Sequence, residues 1–381
     1  MVGKDNSILV KSTLKTKYFI YYCNALTLCY SPKADKVAIY MELSIADIER
    51  IDKTPMNFVV GKERSGTTLL QVLLNSHPNI VAPPESRFII LLHTRYGSIK
   101  QWTEKNITDF CNDLYKEILF RNLWSIRKED LISWLLPAKE KLNYPLLCKL
   151  VFYSIALPGK DILLLFDKNP IYYYFLPQLE ALFPEAKFIH IVRDYRANIV
   201  SHRKVFKVKQ PADIAHRWIK VNELIENRKK NLGQSYFTLK YETLVTEPEN
   251  SMKNVCKFLD IPYRENMGKD HITFMYDTFK RNEKQRFREM HNSLFQPINS
   301  GHIDEWKQML LPRDVTEAEA IAGNYAKSRY GYEPTTKPGR IFFLRVWGIE
   351  LKYLVVKNIY RIAFRRLWLY YYIKNNIWNS F

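Results

Sequence analysis

The feature that most constrains the fold of this chain is a short apolar run that leads into a loop bounded by glycines. Residues 58–60 (Phe-Val-Val) are followed by Gly-Lys-Glu-Arg-Ser-Gly-Thr-Thr at 61–68, and an amphipathic helical pattern comes next. Glycines at Gly61 and Gly66 let the backbone turn tightly, so that its N–H groups point at an anion at the helix N-terminus. The segment therefore predicts a strand, a phosphate-binding loop and a helix.

The loop lacks a cation that nucleotide triphosphatases use. In their Gly-x-x-x-x-Gly-Lys-Ser/Thr loop a lysine follows the second glycine and reaches the outer phosphates. Here Thr67 takes that position, and the basic residue is Arg64. A kinase that binds ATP with magnesium is thus an alternative that conflicts with Thr67, and the loop by itself is equally compatible with a tight strand-to-helix turn.

A second strand–turn–helix pattern covers residues 186–201. The apolar run from Phe188 to Val192 is typical of a buried strand in a parallel sheet. Arg193 follows this strand, at the edge where open α/β sheets bind ligands. Ser201 lies about two helical turns further on, so the guanidinium and the hydroxyl can bind one phosphate together. Taken alone, a helix cap formed by Arg193 and Asp194 would be the simpler explanation.

In combination, the two motifs resemble those of the sulfotransferase family. Arg-Ser-Gly-Thr-Thr at 64–68 resembles the family's 5′-phosphosulfate loop, and Val-Arg-Asp-x-Arg-Ala at 192–197, with Ser201, resembles its 3′-phosphate motif. The resemblance implies a PAPS-dependent O-sulfotransferase, where PAPS is the donor 3′-phosphoadenosine 5′-phosphosulfate. It also implies an α/β fold of the P-loop type, with three layers, a central parallel sheet and helices on both faces.

Further segments resemble the protein-tyrosine sulfotransferase branch, which is anchored in the secretory pathway of animals. Glu85, 21 residues after Arg64, matches the glutamate that is the general base of that branch. Asp-Lys-Asn-Pro at 167–170 resembles its Lys-x-Pro element, and 240–245 resembles its segment near the adenine. Residues 301–307 resemble a Trp-Lys element of cytosolic members, whereas no histidine matches the catalytic one of those members. The resemblance spans residues 56–335, although 282–300 matches weakly. Because the chain shows no secretory anchor of the kind that branch carries, we place it in the broad bacterial-type sulfotransferase group and not as a close copy of either branch.

The resemblance implies a role for each matching residue. The predicted catalytic residues are Glu85 as the base, with Arg64 and Lys168 meeting the charge that grows on the leaving phosphate. The predicted donor-binding residues are Arg64, Ser65, Gly66, Thr67, Thr68, Arg193, Ser201 and Tyr241. No metal ion is predicted, because cations of the protein would take its place. Simpler alternatives are an ion pair of Glu85 with Arg87, a surface position for Lys168 and a core position for Tyr241.

Composition adds a basic C-terminal segment to this domain. The net charge is +19, and residues 340–381 hold eight Lys or Arg against one Glu among many aromatic and aliphatic residues. Such a pattern fits either amphipathic helices at an anionic membrane surface or a helical pair packed on the core. Nucleic-acid binding is not expected. We predict three regions: an N-terminal extension at 1–55, the sulfotransferase domain at 56–335, and a helical C-terminal extension at 336–381.

Location and acceptor follow only from weaker patterns. Five cysteines without metal-binding spacing suit reduced thiols. The uncharged run at 18–32 is short for a membrane span. We therefore predict a cytoplasmic protein, and peripheral contact with a membrane is an alternative that this prediction allows. Apolar residues at helical spacing between 100 and 160 would cover an apolar acceptor pocket. We therefore predict an apolar alcohol such as a sterol or lipid as the acceptor, with a carbohydrate or a tyrosine as alternatives. The alternative from another functional class is a non-catalytic protein that binds a nucleotide or a membrane.

Overall fold

A parallel β-sheet forms the centre of the protein. The computed structural model describes residues 43–156, 161–206, 210–265, 267 and 292–336. Its strands are β1 (Met56–Val60), β2 (Ile80–Val81), β3 (Leu164–Lys168), β4 (Phe188–Val192) and β5 (Tyr236–Lys240). They are ordered β2-β3-β1-β4-β5, and every neighbouring pair is parallel. The predicted α/β fold with a central parallel sheet is confirmed.

Helices lie on both faces of this sheet. The residues of β1 alternate between two apolar clusters: Phe58 and Val60 belong to one, and Val59 belongs to the other. Both faces of the strand are therefore buried, which is why four of its five residues are apolar; the exception, Asn57, is buried and hydrogen-bonded to the backbone of Leu165 and Lys187. The order of the strands reverses beside β1, since β3 lies on one side of it and β4 on the other. Ligands of open α/β sheets bind at the carboxyl edge next to such a reversal.

Helices precede, separate and follow the strands along the chain. They are α1 (Ile45–Lys53), α2 (Thr67–Asn75), α3 (Phe88–Leu91), α4 (His93–Tyr96), α5 (Glu104–Leu114), α6 (Ile118–Leu123), α7 (Lys128–Leu135), α8 (Tyr144–Tyr153), α9 (Leu176–Leu182), α10 (Tyr195–Phe206), α11 (Pro211–Leu232), α12 (Tyr241–Thr246), α13 (Pro248–Leu259), α14 (Trp306–Met309) and α15 (Pro312–Tyr330). Short 3-10 helices cover 136–141, 170–174, 233–235 and 292–295. The apolar pattern between 100 and 160 thus does correspond to helices, α5 to α8.

The domain boundaries stay predictions. Helix α1 precedes the predicted start of the domain, yet Ile48 and Ile51 are buried in the same apolar cluster as Met56. Most of the two predicted extensions, including the uncharged run at 18–32 and the basic segment at 340–381, lies outside the described residues. Within the described ranges, no helix is both long and apolar enough to cross a membrane.

Candidate active site

Each of the five strands places a predicted site residue at its carboxyl end. β1 runs into the loop with Arg64, β3 ends on Lys168, and Arg193 and Tyr241 follow β4 and β5. Glu85 comes four residues after β2. Because the strands are parallel, these ends meet at one edge of the sheet. The predicted residues therefore lie along one edge despite their distances in sequence.

The loop after β1 has an unusual backbone conformation at two positions. Gly66 caps α2 with φ 95°, in the left-handed region that glycine tolerates best. Arg64 has φ 68°, which is uncommon for a residue with a side chain. A Cβ atom on Gly66 would lie 2.5 Å from Cδ2 of Tyr241, so the loop and the end of β5 are in close contact. Residues in such conformations cluster at functional sites, where the surrounding structure holds them.

One group of predicted residues surrounds Arg193. The Arg64 side chain donates from Nε to Oγ of Ser201 at 3.1 Å, so the two predicted anion motifs touch directly. Arg193 donates to the carbonyl oxygens of Arg64, at 3.4 Å, and of His302, at 2.7 Å. Its guanidinium lies 4.2 Å from the ring centroid of Tyr241. One face of the Tyr241 ring, in the segment predicted to lie near the adenine, is thus covered by Arg193.

Arg193 also keeps one donor for a ligand. Its side chain is buried, and its Nε has no hydrogen-bond partner among the described residues. A buried cationic donor without an acceptor is costly, and a phosphate oxygen would remove that cost. The residues present therefore fit a phosphate next to Arg193 and Ser201.

Asp194 caps the helix that follows. Its carboxylate accepts from the backbone N–H of Arg196 at 2.8 Å, so the helix cap considered as an alternative exists beside this site.

A second group contains Glu85, Lys168 and Thr68. The Lys168 ammonium donates to a carboxylate oxygen of Glu85 and, at 3.3 Å, to Oγ1 of Thr68. The Lys168 side chain is 2% exposed and that of Glu85 is 21% exposed, so Lys168 is not a surface lysine. The ion-pair partner of Glu85 is Lys168, in place of the Arg87 considered from sequence. An acid, an ammonium and a hydroxyl therefore converge at the start of α2, whereas Arg64 turns away from them towards Ser201.

Side chains from separate elements hold the segment that carries Glu85. This segment joins β2 to α3. Gln71 donates to the carbonyl oxygen of Ala82, Trp124 to that of Pro84, Tyr172 to that of Ser86, and Tyr144 to those of Phe88 and Ile89. The hydroxyl of Ser86 donates to Glu117 at 3.1 Å. Glu85 is therefore fixed in place by its neighbours along the backbone.

Asp167, directly before Lys168, is a buried acid in an apolar environment. Burial raises the pKa of its carboxyl to about 8, so the group is largely protonated at neutral pH. Tyr172 donates to its Oδ2, while its Oδ1 has no partner among the described residues. Asp167 thus differs from Glu85, which pairs with a cation.

Sequence reasoning missed residues that support the site from behind. Asn198 donates to the carbonyl oxygen of Glu63 at 2.8 Å and to Oγ of Ser65 at 3.2 Å. Trp218 donates to the carbonyl oxygen of Arg193 at 2.9 Å. The available signal was the polar Asn198 between the apolar residues Ala197 and Ile199, but the sequence does not reveal which loop it contacts.

The parallel sheet, the glycine-bounded loop and the arginine–serine pair place this protein among α/β proteins of the P-loop type. The sequence model of the sulfotransferase family matches residues 55–265, more than half of the chain. The chain belongs to the sulfotransferase family, and the prediction that it is an O-sulfotransferase is confirmed. Among the described residues, no three His, Cys, Asp or Glu side chains are placed to hold a metal ion.

The curated relatives are animal enzymes. The chain is 28% identical over 295 residues to protein-tyrosine sulfotransferase 1 of Homo sapiens, covering 74% of this chain and 71% of that protein. It is 26% identical over 297 residues to protein-tyrosine sulfotransferase 1 of Danio rerio, covering 74% of each. Among solved structures, the sulfotransferase domain of the Synechococcus PCC 7002 olefin synthase aligns with a TM-score of 0.46 and 23% identity, over 71% of this chain and 94% of that one.

These relatives correct the predicted location. We expected a cytoplasmic protein, but the similarity is to protein-tyrosine sulfotransferases, the branch that is anchored in the secretory pathway of animals. The cytoplasmic prediction is therefore wrong. It relied on cysteine number and on the modest apolarity of residues 18–32, and neither property depends on the motifs that define the branch.

Proposed function

We propose that this enzyme transfers a sulfuryl group from PAPS to the hydroxyl of a tyrosine in a protein or peptide. The observation that carries the proposal is the contact of Lys168 with both Glu85 and Thr68 at the carboxyl edge of the sheet. It places a carboxylate for the acceptor proton beside an ammonium for the leaving group. The names of the relatives support tyrosine as the acceptor.

The donor would lie along the strand ends. Arg193 and Ser201 would bind the 3′-phosphate, and the loop N–H groups of residues 65–68 would bind the 5′-phosphosulfate at the start of α2. Since Arg64 belongs to this loop and its side chain contacts Ser201 at 3.1 Å, its guanidinium would lie beside the 3′-phosphate. The two ends of one nucleotide would thus be bound by residues that already touch.

In the reaction Glu85 would accept a proton, and Lys168 would stabilise negative charge on the leaving group. The tyrosine oxygen forms a bond to sulfur while the bond from sulfur to the 5′-phosphate oxygen breaks. The tyrosine proton passes to the Glu85 carboxylate, as general base catalysis requires. The Lys168 ammonium, hydrogen-bonded to Thr68, faces the charge that develops on the phosphate oxygen. The products are the tyrosine sulfate ester and adenosine 3′,5′-bisphosphate.

An apolar alcohol as acceptor gains no support from the helices that suggested it. Phe88, Phe120, Trp124 and Phe152 pack against one another and are between 0% and 4% exposed. These rings form core, not the wall of an open pocket. The sterol or lipid acceptor, like the carbohydrate, stays a sequence-based prediction.

The test begins with calorimetry in EDTA. Metal-free binding of adenosine 3′,5′-bisphosphate in preference to ATP with magnesium is expected, and the reverse preference would favour a kinase. Next, radiolabelled PAPS is offered with a tyrosine peptide, with the same peptide carrying phenylalanine, and with sterol and sugar alcohols. Labelling of the tyrosine peptide alone supports the proposal, whereas labelling of a sterol or sugar alone would reject tyrosine as the acceptor.

The role of Glu85 is tested by Glu85→Gln. We expect turnover to fall by about 1000-fold or more, with affinity for the bisphosphate changed less than about threefold, because the base does not bind the nucleotide. Glu140→Gln, which removes an exposed carboxylate, is the matched control and should keep full activity. An equal loss of turnover and nucleotide affinity in Glu85→Gln would contradict the base assignment.

A further inference from the structure

A buried charged cluster lies behind the donor-binding loop. The Glu63 carboxylate contacts the ammonium of Lys62, Nη2 of Arg217 at 2.9 Å and Nε2 of His202 at 3.6 Å. We call Lys62, Glu63, His202 and Arg217 the Glu63 cluster. His202 lies on α10 and Arg217 on α11, so one carboxylate connects the loop to two helices.

Burial makes these contacts strong. The side chains of Lys62, Glu63 and His202 are between 1% and 7% exposed, and Arg217 is 45% exposed. Burial lowers the pKa of Lys62 to about 8 and that of His202 to about 4. Burial acts to raise the pKa of Glu63, but Lys62 and Arg217 lower it well below its usual range. Glu63 is therefore an anion at neutral pH, and breaking its contacts would leave buried charge uncompensated.

The same part of the loop is also held through its backbone. The carbonyl oxygen of Glu63 accepts from Asn198 at 2.8 Å, and Asn198 also donates to Oγ of Ser65. Between these two anchored residues, Arg64 has φ 68°. Asn198, Ser201 and His202 lie on one face of α10, because residues three and four apart in a helix are neighbours on its surface. Ser201 accepts a hydrogen bond from Arg64. The contacts on both sides of Arg64 thus hold its uncommon backbone conformation.

We propose that Glu63 is a positioning residue, which holds Arg64 and the following N–H groups in the geometry that binds the 5′ end of the donor. It acts through α10 and α11 and does not itself touch the reacting atoms. The inference rests on the proposed function, in that the loop binds a PAPS-like nucleotide. It does not depend on which hydroxyl is the acceptor.

The first test compares Glu63→Gln with the control Glu140→Gln. We expect Glu63→Gln to weaken binding of adenosine 3′,5′-bisphosphate about tenfold and to raise KM for PAPS by a similar factor. KM for the acceptor should stay unchanged, since Lys168 and Glu85 are held by other elements. Unchanged donor KM and bisphosphate affinity in a folded Glu63→Gln protein would overturn the proposal.

A second variant separates positioning from simple charge balance. Lys62→Met with Glu63→Gln removes the buried pair together, which avoids an unpaired ammonium. We expect this double variant to melt close to the wild-type protein and still to bind the donor about tenfold more weakly. Recovery of wild-type donor affinity would mean that Glu63 only neutralises Lys62, and would also overturn the proposal.

A third variant, Arg217→Gln, keeps the test valid if both others fail to fold, because this side chain is partly exposed. It should raise KM for PAPS severalfold without changing KM for the acceptor, and no change would count against the proposal. Failure of the proposed function is distinguishable. If the wild-type protein binds no bisphosphate, the donor assignment fails before any variant is made.

Discussion

Adjacent residues on β3 differ in their chemistry because side chains of a strand alternate in direction. Lys168 is paired with Glu85, whereas Asp167 meets a tyrosine hydroxyl and apolar surroundings. Lys168 is therefore a buried cation paired with a carboxylate, and Asp167 is an acid that burial keeps largely protonated.

Asp167→Asn should stabilise the protein in a way that depends on pH. Burial raises the pKa of Asp167 from 3.8 to about 8, so the unfolded chain loses this proton at lower pH than the folded protein. The wild-type protein therefore loses stability, relative to the variant, as the pH rises from about 4 to about 8. Urea unfolding at several pH values should give a difference that grows to the order of a few kcal/mol. Asp304→Asn, at a side chain 65% exposed, is the control, and parallel curves for Asp167→Asn and wild type would contradict the pKa.

Gly66→Ala should damage both folding and donor binding. The new Cβ atom would meet Tyr241 at 2.5 Å in a backbone with φ 95°. Gly331→Ala is a matched control, because Gly331 is also left-handed, with φ 71°, and the nearest atom to a new Cβ would be Nζ of Lys240 at 3.8 Å, an ordinary contact. We expect a loss of about 1 kcal/mol at Gly331 and about 2–3 kcal/mol at Gly66, where bisphosphate binding should also weaken. Thermal unfolding and calorimetry check both, and equal effects at the two sites would argue against the close contact with Tyr241.

At the scale of elements, the sequence predicts β1, β4 and the helices that follow them, because each is a local apolar pattern next to a motif. It also predicts which residues share the edge of the sheet, since parallel strands align their carboxyl ends. It does not predict that Arg64 contacts Ser201, 137 residues away, or that Arg193 covers Tyr241. Those contacts depend on the order of the strands and on side-chain rotamers, which no local pattern determines.

The segment between β2 and α3 offers a test of positioning by an element. Tyr172→Phe removes the hydroxyl that contacts both the carbonyl oxygen of Ser86, next to Glu85, and the carboxyl of Asp167, while Tyr144→Phe removes a donor to the carbonyl oxygens of Phe88 and Ile89. Each change should cost about 1–2 kcal/mol of stability. Only Tyr172→Phe should lower kcat, by about tenfold, with KM for PAPS unchanged. Unfolding curves and steady-state kinetics check this, and equal kcat values in the two variants would show that Ser86 does not transmit position to Glu85.

At the scale of the whole molecule, the candidate site joins parts that pack separately. The apolar residues on the two faces of β1 and β3 belong to two separate clusters. Helices α10, α11, α14 and α15 form a third cluster around Trp218. Within this third group Arg196 links α10 to α15 through Glu319 at 2.7 Å and to α14 through the ring of Trp306 at 4.0 Å, and it donates to the carbonyl oxygen of Glu333 at 3.0 Å, near the C-terminal end of the described residues. A nucleotide bound at the strand ends would contact all three groups and stabilise them together.

Donor binding should therefore raise the melting temperature of the full chain. A bisphosphate concentration about 100 times Kd stabilises a folded protein by about 2.7 kcal/mol, which corresponds to a shift of about 3 °C for a protein of this size. Arg193→Ala should lose most of the shift, whereas Arg228→Ala, which breaks an ion pair with Glu180, should retain it. Scanning calorimetry with and without nucleotide measures the effect, and an undiminished shift in Arg193→Ala would exclude Arg193 from the site.

The separation in sequence between contacting residues has a consequence for synthesis of the protein. Arg64 and Ser201 are 137 residues apart, and Glu85 and Lys168 are 83 apart. Such long-range contacts form late, after slow loop closure, so the nascent chain has no complete anion site until α10 has left the ribosome and packed on the loop. Nucleotide binding is accordingly a property of the finished domain, and retention on immobilised adenosine 3′,5′-bisphosphate would separate fully folded molecules from those that stalled on the way.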